Sequence, residues 1–175
     1  MKQAKKGFTL IEVILVLAIA AMIFLMVLLT LPAVQRSQRD LSRRDAVGSV
    51  IAAYTEFLGN NRGTQPINAV NCEGADGGIV GAQADCQLNP YLRLQAGITF
   101  SITDGPSTGE WTPPFSSVGN AEARPNTDRI TVFKRATCGV NGAVRAGTSN
   151  RQIAVVVALE GAGADGAQIF FCQDS

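Results

Sequence analysis

Residues 8–31 read FTLIEVILVLAIAAMIFLMVLLTL, a run of 24 positions with a single charge, Glu12. No other stretch restricts the chain's folding options as severely. A helix of that length measures about 36 Å, enough to cross a bilayer hydrocarbon core of about 30 Å. Being apolar on every face, such a helix needs lipid or other helices around it, because no side is suited to water. Lys2, Lys5 and Lys6 precede it in a short basic leader, residues 1–7, MKQAKKG.

Beyond the run the chain changes character. Pro32 is expected to bend the helix, since it lacks an N–H and crowds the preceding turn. Helical periodicity then resumes. Val47, Val50, Ile51, Tyr54, Phe57 and Leu58 recur at the spacing of one apolar stripe. Arg43, Arg44, Asp45 and Ser49 fall on the opposite face, and Arg36–Asp40 and Asp40–Arg44 are candidate i,i+4 pairs. The helix is expected to stop near Leu58, where Gly59-Asn60-Asn61-Arg62-Gly63 favours left-handed backbone. One helix of about 50 residues therefore has two halves, apolar all round and then amphipathic.

Residues 59–97 read as loop, with one short helical turn within Asn89-Pro90-Tyr91-Leu92-Arg93-Leu94. Strand signals rich in Ile, Val, Thr and Phe follow at 98–103, 130–134, 153–159 and 167–172. The last two strands are expected to form a hairpin turning at Asp165-Gly166. Residues 104–127 hold Pro106, Pro113, Pro114 and Pro125 and read as a long surface loop. The fold class expected is α+β, one long N-terminal helix packed on a roughly four-stranded antiparallel sheet.

Cys72, Cys86, Cys138 and Cys172 all lie beyond the apolar run, and the chain has no histidine. An even cysteine count after an export signal favours two disulfides and an oxidising compartment. Four cysteines allow three pairings; the local pair Cys72–Cys86 and the strand-to-strand pair Cys138–Cys172 are favoured. The net charge of +1 does not point to an acidic partner, and no nucleic-acid binding is expected. Without histidine, Ser–His and Cys–His catalysis and His-metal sites are excluded, so the chain does not read as an enzyme.

The string Lys5-Lys6-Gly7-Phe8-Thr9-Leu10-Ile11-Glu12-Val13, opening an unbroken apolar run, resembles the start of type IV pilins and of the pseudopilins of type II secretion and competence systems. The resemblance is specific over residues 5–31 and looser beyond. It implies that a prepilin peptidase cuts between Gly7 and Phe8, that Phe8 is then N-methylated, and that Glu12 is the family's assembly glutamate. One departure concerns the family's common proline, whose place is taken here by Leu29, with Pro32 three residues later. The implied organisation is a leader at 1–7, a transmembrane and polymerisation half-helix at 8–31, and an extracytoplasmic head at 32–175. The implied partners are other pilin subunits, the prepilin peptidase, the assembly platform and, before assembly, the inner membrane. The implied destination is a cell-surface filament.

The residues themselves give this resemblance a physical content. A carboxylate in an apolar helix costs about 2.5–3.5 kcal/mol at the bilayer centre and less near an end, so Glu12 calls for a partner. Cleavage after Gly7 would create one, the α-amino group of Phe8, in the same subunit or the next. A buried pair of opposite charges suits register selection, because a misplaced subunit leaves both unpaired.

Other readings fit less well. A cleaved secretory signal ending at Ala18-Ile19-Ala20 would carry Glu12 inside its apolar core and leave a greasy new terminus. A plain membrane anchor with an unrelated binding domain makes the lysine, glycine, phenylalanine and glutamate placement a coincidence. Asp76, Asp85, Asp104, Asp128 and Asp165 lack the spacing of a calcium loop, and the stretch GADGGIVG lacks the lysine of a phosphate loop. No metal and no cofactor is expected. Arg36, Arg39, Arg43 and Arg44 nearly balance the leader lysines, so charge alone does not orient the helix. With Asp40 and Asp45 among them they read as a solvated or inter-subunit face. Trp111 reads as a loop anchor.

Overall fold

A computed structural model describes residues 8–73, 86–92, 94, 97–162 and 167–175. It divides into two compact units, the first ending at Gln38 and the second running Arg39–Ser175. One helix, α1 at Leu10–Asn60, supplies residues to both. It continues through Pro32, whose missing N–H removes one backbone hydrogen bond without ending the helix.

The second unit is built on a five-stranded sheet in the order β1-β2-β4-β7-β8. These strands are β1 at Ala69–Glu73, β2 at Thr99–Asp104, β4 at Arg129–Lys134, β7 at Ile153–Ala162 and β8 at Gln168–Asp174. A second, three-stranded sheet has the order β3-β6-β5, from Glu110–Trp111 (β3), Ala136–Cys138 (β5) and Val144–Ala146 (β6). The expected layout of one long helix on a sheet is present, but the sheet is mixed. β2 and β4 run parallel, from Thr99 against Arg129 to Asp104 against Lys134. The reason lies in their connection. Antiparallel neighbours need only a short turn, whereas a parallel pair needs a crossover of a dozen residues or more, which the Pro-rich stretch 105–128 provides.

Both faces of the sheet are covered, and β7 shows why its sequence is an unbroken apolar run. Ile153, Val155, Val157 and Leu159 face the helix side, together with Phe100, Ile102, Ile130 and Val132 from β2 and β4. There they meet Val47, Val50, Ala53, Tyr54 and Phe57 of α1. Ala154, Val156 and Ala158 point the other way, into a second core with Phe115, Val118, Phe133, Val144 and Phe170. A strand buried on both faces loses the polar alternation of a half-exposed one.

That second core corrects the reading of residues 104–127 as a surface loop. Phe115 and Val118 are fully buried. The Phe115 ring stacks on Phe133 at 5.6 Å and meets Phe170 edge-on at 5.4 Å. Trp111 lies in β3, edge-on to Phe133 at 6.0 Å, and is half-buried. Prolines confine regular ladder pairing here to the two residues of β3 but do not prevent burial of the side chains between them.

α1 ends two residues later than expected. Gly59 and Asn60 stay helical, and the left-handed residues are Arg62 and Gly63, the latter donating its N–H to the Leu58 carbonyl. The short turn at Asn89–Tyr91 is a 3-10 turn. Disulfides join Cys72 to Cys86 and Cys138 to Cys172, with Cα atoms 5.7 and 5.8 Å apart. The first is buried in the helix-side core, and the second packs half-buried against the other. The Asp165-Gly166 turn lies outside the described residues.

Candidate functional site

The part of α1 in the first unit has no core. From Phe8 to Leu31 every large apolar side chain is exposed, with Phe8 at 84% and Leu31, the most covered, at 43%. The exposure runs around the whole helix, so no single stripe is left for one partner. Each such side chain gains about 1.5–3 kcal/mol when removed from water, and over this many residues the unsatisfied drive is tens of kcal/mol. By length and composition α1 can cross a membrane. An apolar surface of this extent suits a bilayer or packing against other helices better than water.

Glu12 sits in the first turn of α1 and is exposed within the chain. Its N–H and that of Val13 donate to the Thr9 carbonyl at 3.1 and 3.4 Å. A carboxylate in a helix's first turn is favoured by the free N–H groups and dipole there, typically by about 0.3–1 kcal/mol. Phe8 precedes the helix by two residues. An amine created at Phe8 would stand about one helical turn from Glu12, four residues at about 1.5 Å each. Gly7, on the other side of the implied cut, lies outside the described residues. Glu12 and Phe8 thus lie close in the chain, whereas the four cysteines belong to the second unit and take no part in this site.

The second unit contains a polar cluster that sequence reading missed. Arg39 donates Nε and Nη2 to the Glu160 carboxylate at 2.8–3.0 Å, and Arg43 donates Nη2 to the same carboxylate at 2.8 Å. Arg43 also donates Nη1 to Asp40 at 3.0 Å and Nε to the Thr127 carbonyl at 2.7 Å. Asp40 accepts the backbone N–H of Glu160 at 2.8 Å. The hydrogen bonds from Arg39, and then those from Arg43, hold the Glu160 carboxyl down to about 2. The partner of Asp40 is therefore Arg43, one turn away, and not the expected Arg36 or Arg44. Arg43 is buried, not solvated, and Arg44 lies over the Phe171 ring at 5.2 Å. Helical spacing exposed the candidate pairs but not Glu160, which is distant in sequence and arrives only when β7 packs alongside.

Among the aspartates considered for a cation, Asp104 is engaged by Asn68, Lys134 and Arg135, and these partners, Asn68 first, lower its acidity range. Asp76, Asp85 and Asp165 lie outside the described residues. Among the described residues no group of three or more acidic or sulfur ligands converges as a metal site would require.

Residues 2–28 match the family description "Prokaryotic N-terminal methylation motif". Neither curated proteins nor solved structures gave a match to the chain. The chain thus carries the class III prepilin signal typical of type IV pilins and pseudopilins, and that signal points to a structural subunit. It implies processing by a prepilin peptidase and assembly into pilin-like filaments, and with the long apolar helix it fits a membrane-anchored precursor.

Proposed function

We propose that this chain is the structural subunit of a type IV pilus-like surface filament serving adhesion, motility or host attachment. The observation that carries the reading is the all-round exposure of residues 8–31 behind a methylation motif. In this reading the leader 1–7 is removed between Gly7 and Phe8, and Phe8 is N-methylated. The apolar half-helix waits in the cytoplasmic membrane with the head, residues 32–175, outside, where its disulfides form. Assembly then exchanges lipid contacts for helix–helix contacts. Because both environments are apolar, the exchange lies near balance, and machinery outside this chain can drive it in either direction.

Pairing of Glu12 with a Phe8 amine would set the axial step between subunits. A carboxylate can move from lipid into a helix bundle at low cost only if a positive charge meets it there. A pseudopilin or minor pilin of a secretion or DNA-uptake system shares every one of these features and differs in abundance. Filaments sheared from the surface of expressing cells and analysed for composition separate the two. The pilus reading expects this chain as the main component, and only trace amounts would favour the pseudopilin.

A further inference from the structure

The ionic cluster at the start of the second unit has a consequence for how the helix is held. Three of its members, Arg39, Asp40 and Arg43, lie on α1, and the fourth, Glu160, follows the buried run of β7. Within residues 39–46 no large apolar side chain is buried. Leu41 is 60% exposed, Arg43 is the one buried residue, and the first buried large apolar side chain is Val47. Ala46 is only partly covered. The attachments of these two helical turns include the ion pairs, the Glu160 N–H donated to Asp40, the contact of Arg43 with the Thr127 carbonyl, the stacking of Arg44 on Phe171 and the partial packing of Ala46. From Val47 onward the attachment is apolar: Val47, Val50, Tyr54 and Phe57 are nearly fully buried.

These two kinds of attachment differ in what opening costs. The Arg39–Glu160 pair, with Arg39 56% exposed, exchanges protein partners for water at little net cost and is screened by salt. Arg43 is covered when the segment is closed, but its partners Asp40 and Glu160 are about a fifth exposed, so lifting returns all of them to water. Buried apolar groups have no such substitute. The helical hydrogen bonds of residues 39–46 are internal to α1, so lifting the segment orphans only groups at the sheet margin, which water can reach. Local openings of this kind occur without global unfolding where apolar contacts are few.

We propose that Arg39, Asp40, Arg43 and Glu160 form an ionic latch that lets residues 39–46 lift from the sheet while the core from Val47 onward stays folded. Closed, the latch holds residues 39–46 against the sheet margin. Open, it frees two turns of α1 within the second unit. The latch is a property of the second unit and does not depend on the filament reading; only its use as a compliant joint in a polymer rests on that reading.

Distance measurements between spin labels on the full chain in lipid nanodiscs test it. Labels are introduced as noncanonical residues at Leu41 and Gln173, both exposed, so the two disulfides remain intact; a second pair at Thr55 and Gln173 is the control. The latch predicts one narrow Leu41–Gln173 distribution at low salt. A second population should appear on raising salt to about 1 M, where the screening length falls to about 3 Å. The same population should appear at low salt in Glu160→Gln, with the Thr55–Gln173 distribution unchanged throughout. An unchanged Leu41–Gln173 distribution in wild-type protein at high salt would overturn the proposal. So would parallel broadening of both pairs, which would mean that the core loosens as a whole. The salt arm needs no variant, so a poorly folding Glu160→Gln does not remove the test, and neither arm depends on whether filaments form.

Discussion

Glu12 is the only charge in 24 apolar positions, and its place five residues after Gly7 was legible without any structure. If its role is register during assembly, Glu12→Val should leave the protein folded and membrane-inserted while surface filaments largely disappear. Filament yield by shearing, set against the membrane-bound pool by immunoblot, checks this. Tyr54 is the opposite case: periodicity placed it in the core but not the fate of its hydroxyl. The side chain is 1% exposed and its Oη has no hydrogen-bond partner. Burial first, and the charge of Asp104 second, push its ionisation upward from the ordinary 10.0. The folded state thus keeps the phenol neutral, and the stability tied to it is present below pH 10.0 and declines as pH rises further. A buried hydroxyl without a partner costs about 1–3 kcal/mol of desolvation, so Tyr54→Phe should be neutral or stabilising by up to about 1 kcal/mol in denaturant unfolding. Tyr54→Phe should also flatten the alkaline decline.

At the scale of elements, long periodic segments were readable and short non-local ones were not. The amphipathic half of α1 announced itself through Val47, Val50, Tyr54 and Phe57, and the longest strand through the run ending at Leu159. β5 and β6 have three residues each, too few for a pattern, and β3 has two between prolines. The parallel pairing of β2 with β4 is set by what the crossover buries, Phe115 above all, and composition hides this because the crossover's prolines and glycines dominate it. The junction of α1 with β7 was invisible for another reason, since Arg43 and Glu160 are 117 residues apart. Its contribution can be isolated by acid. The Arg39 hydrogen bonds, then those from Arg43, lower the Glu160 carboxyl from 4.5 to about 2. A depressed carboxyl contributes stability that is full above its unfolded value and is lost as pH falls through the folded one. Unfolding free energy should therefore fall between pH 4.5 and about 2 more steeply in wild-type protein than in Glu160→Gln. Equal slopes would mean that the ion pairs add no stability.

For the molecule as a whole, the two units follow different physical rules, and the sequence shows the division as a change of period. Residues from Arg39 onward form a globular unit with apolar cores on both faces of its main sheet and two disulfides, each able to add about 2–4 kcal/mol by restricting the unfolded chain. Residues up to Gln38 contribute a helix with nothing of its own to pack against. A chain that keeps such a helix must keep company, whether lipid or its own kind, and a chain that loses it becomes an ordinary secreted domain. A filament subunit of this kind retains the helix and uses it. Mass spectrometry of the N-terminal peptide from the purified surface product addresses this most directly. The expected terminus is N-methylated Phe8. A product beginning near Ala21 or Met22, with the apolar stem gone, or one still carrying residues 1–7, would contradict it.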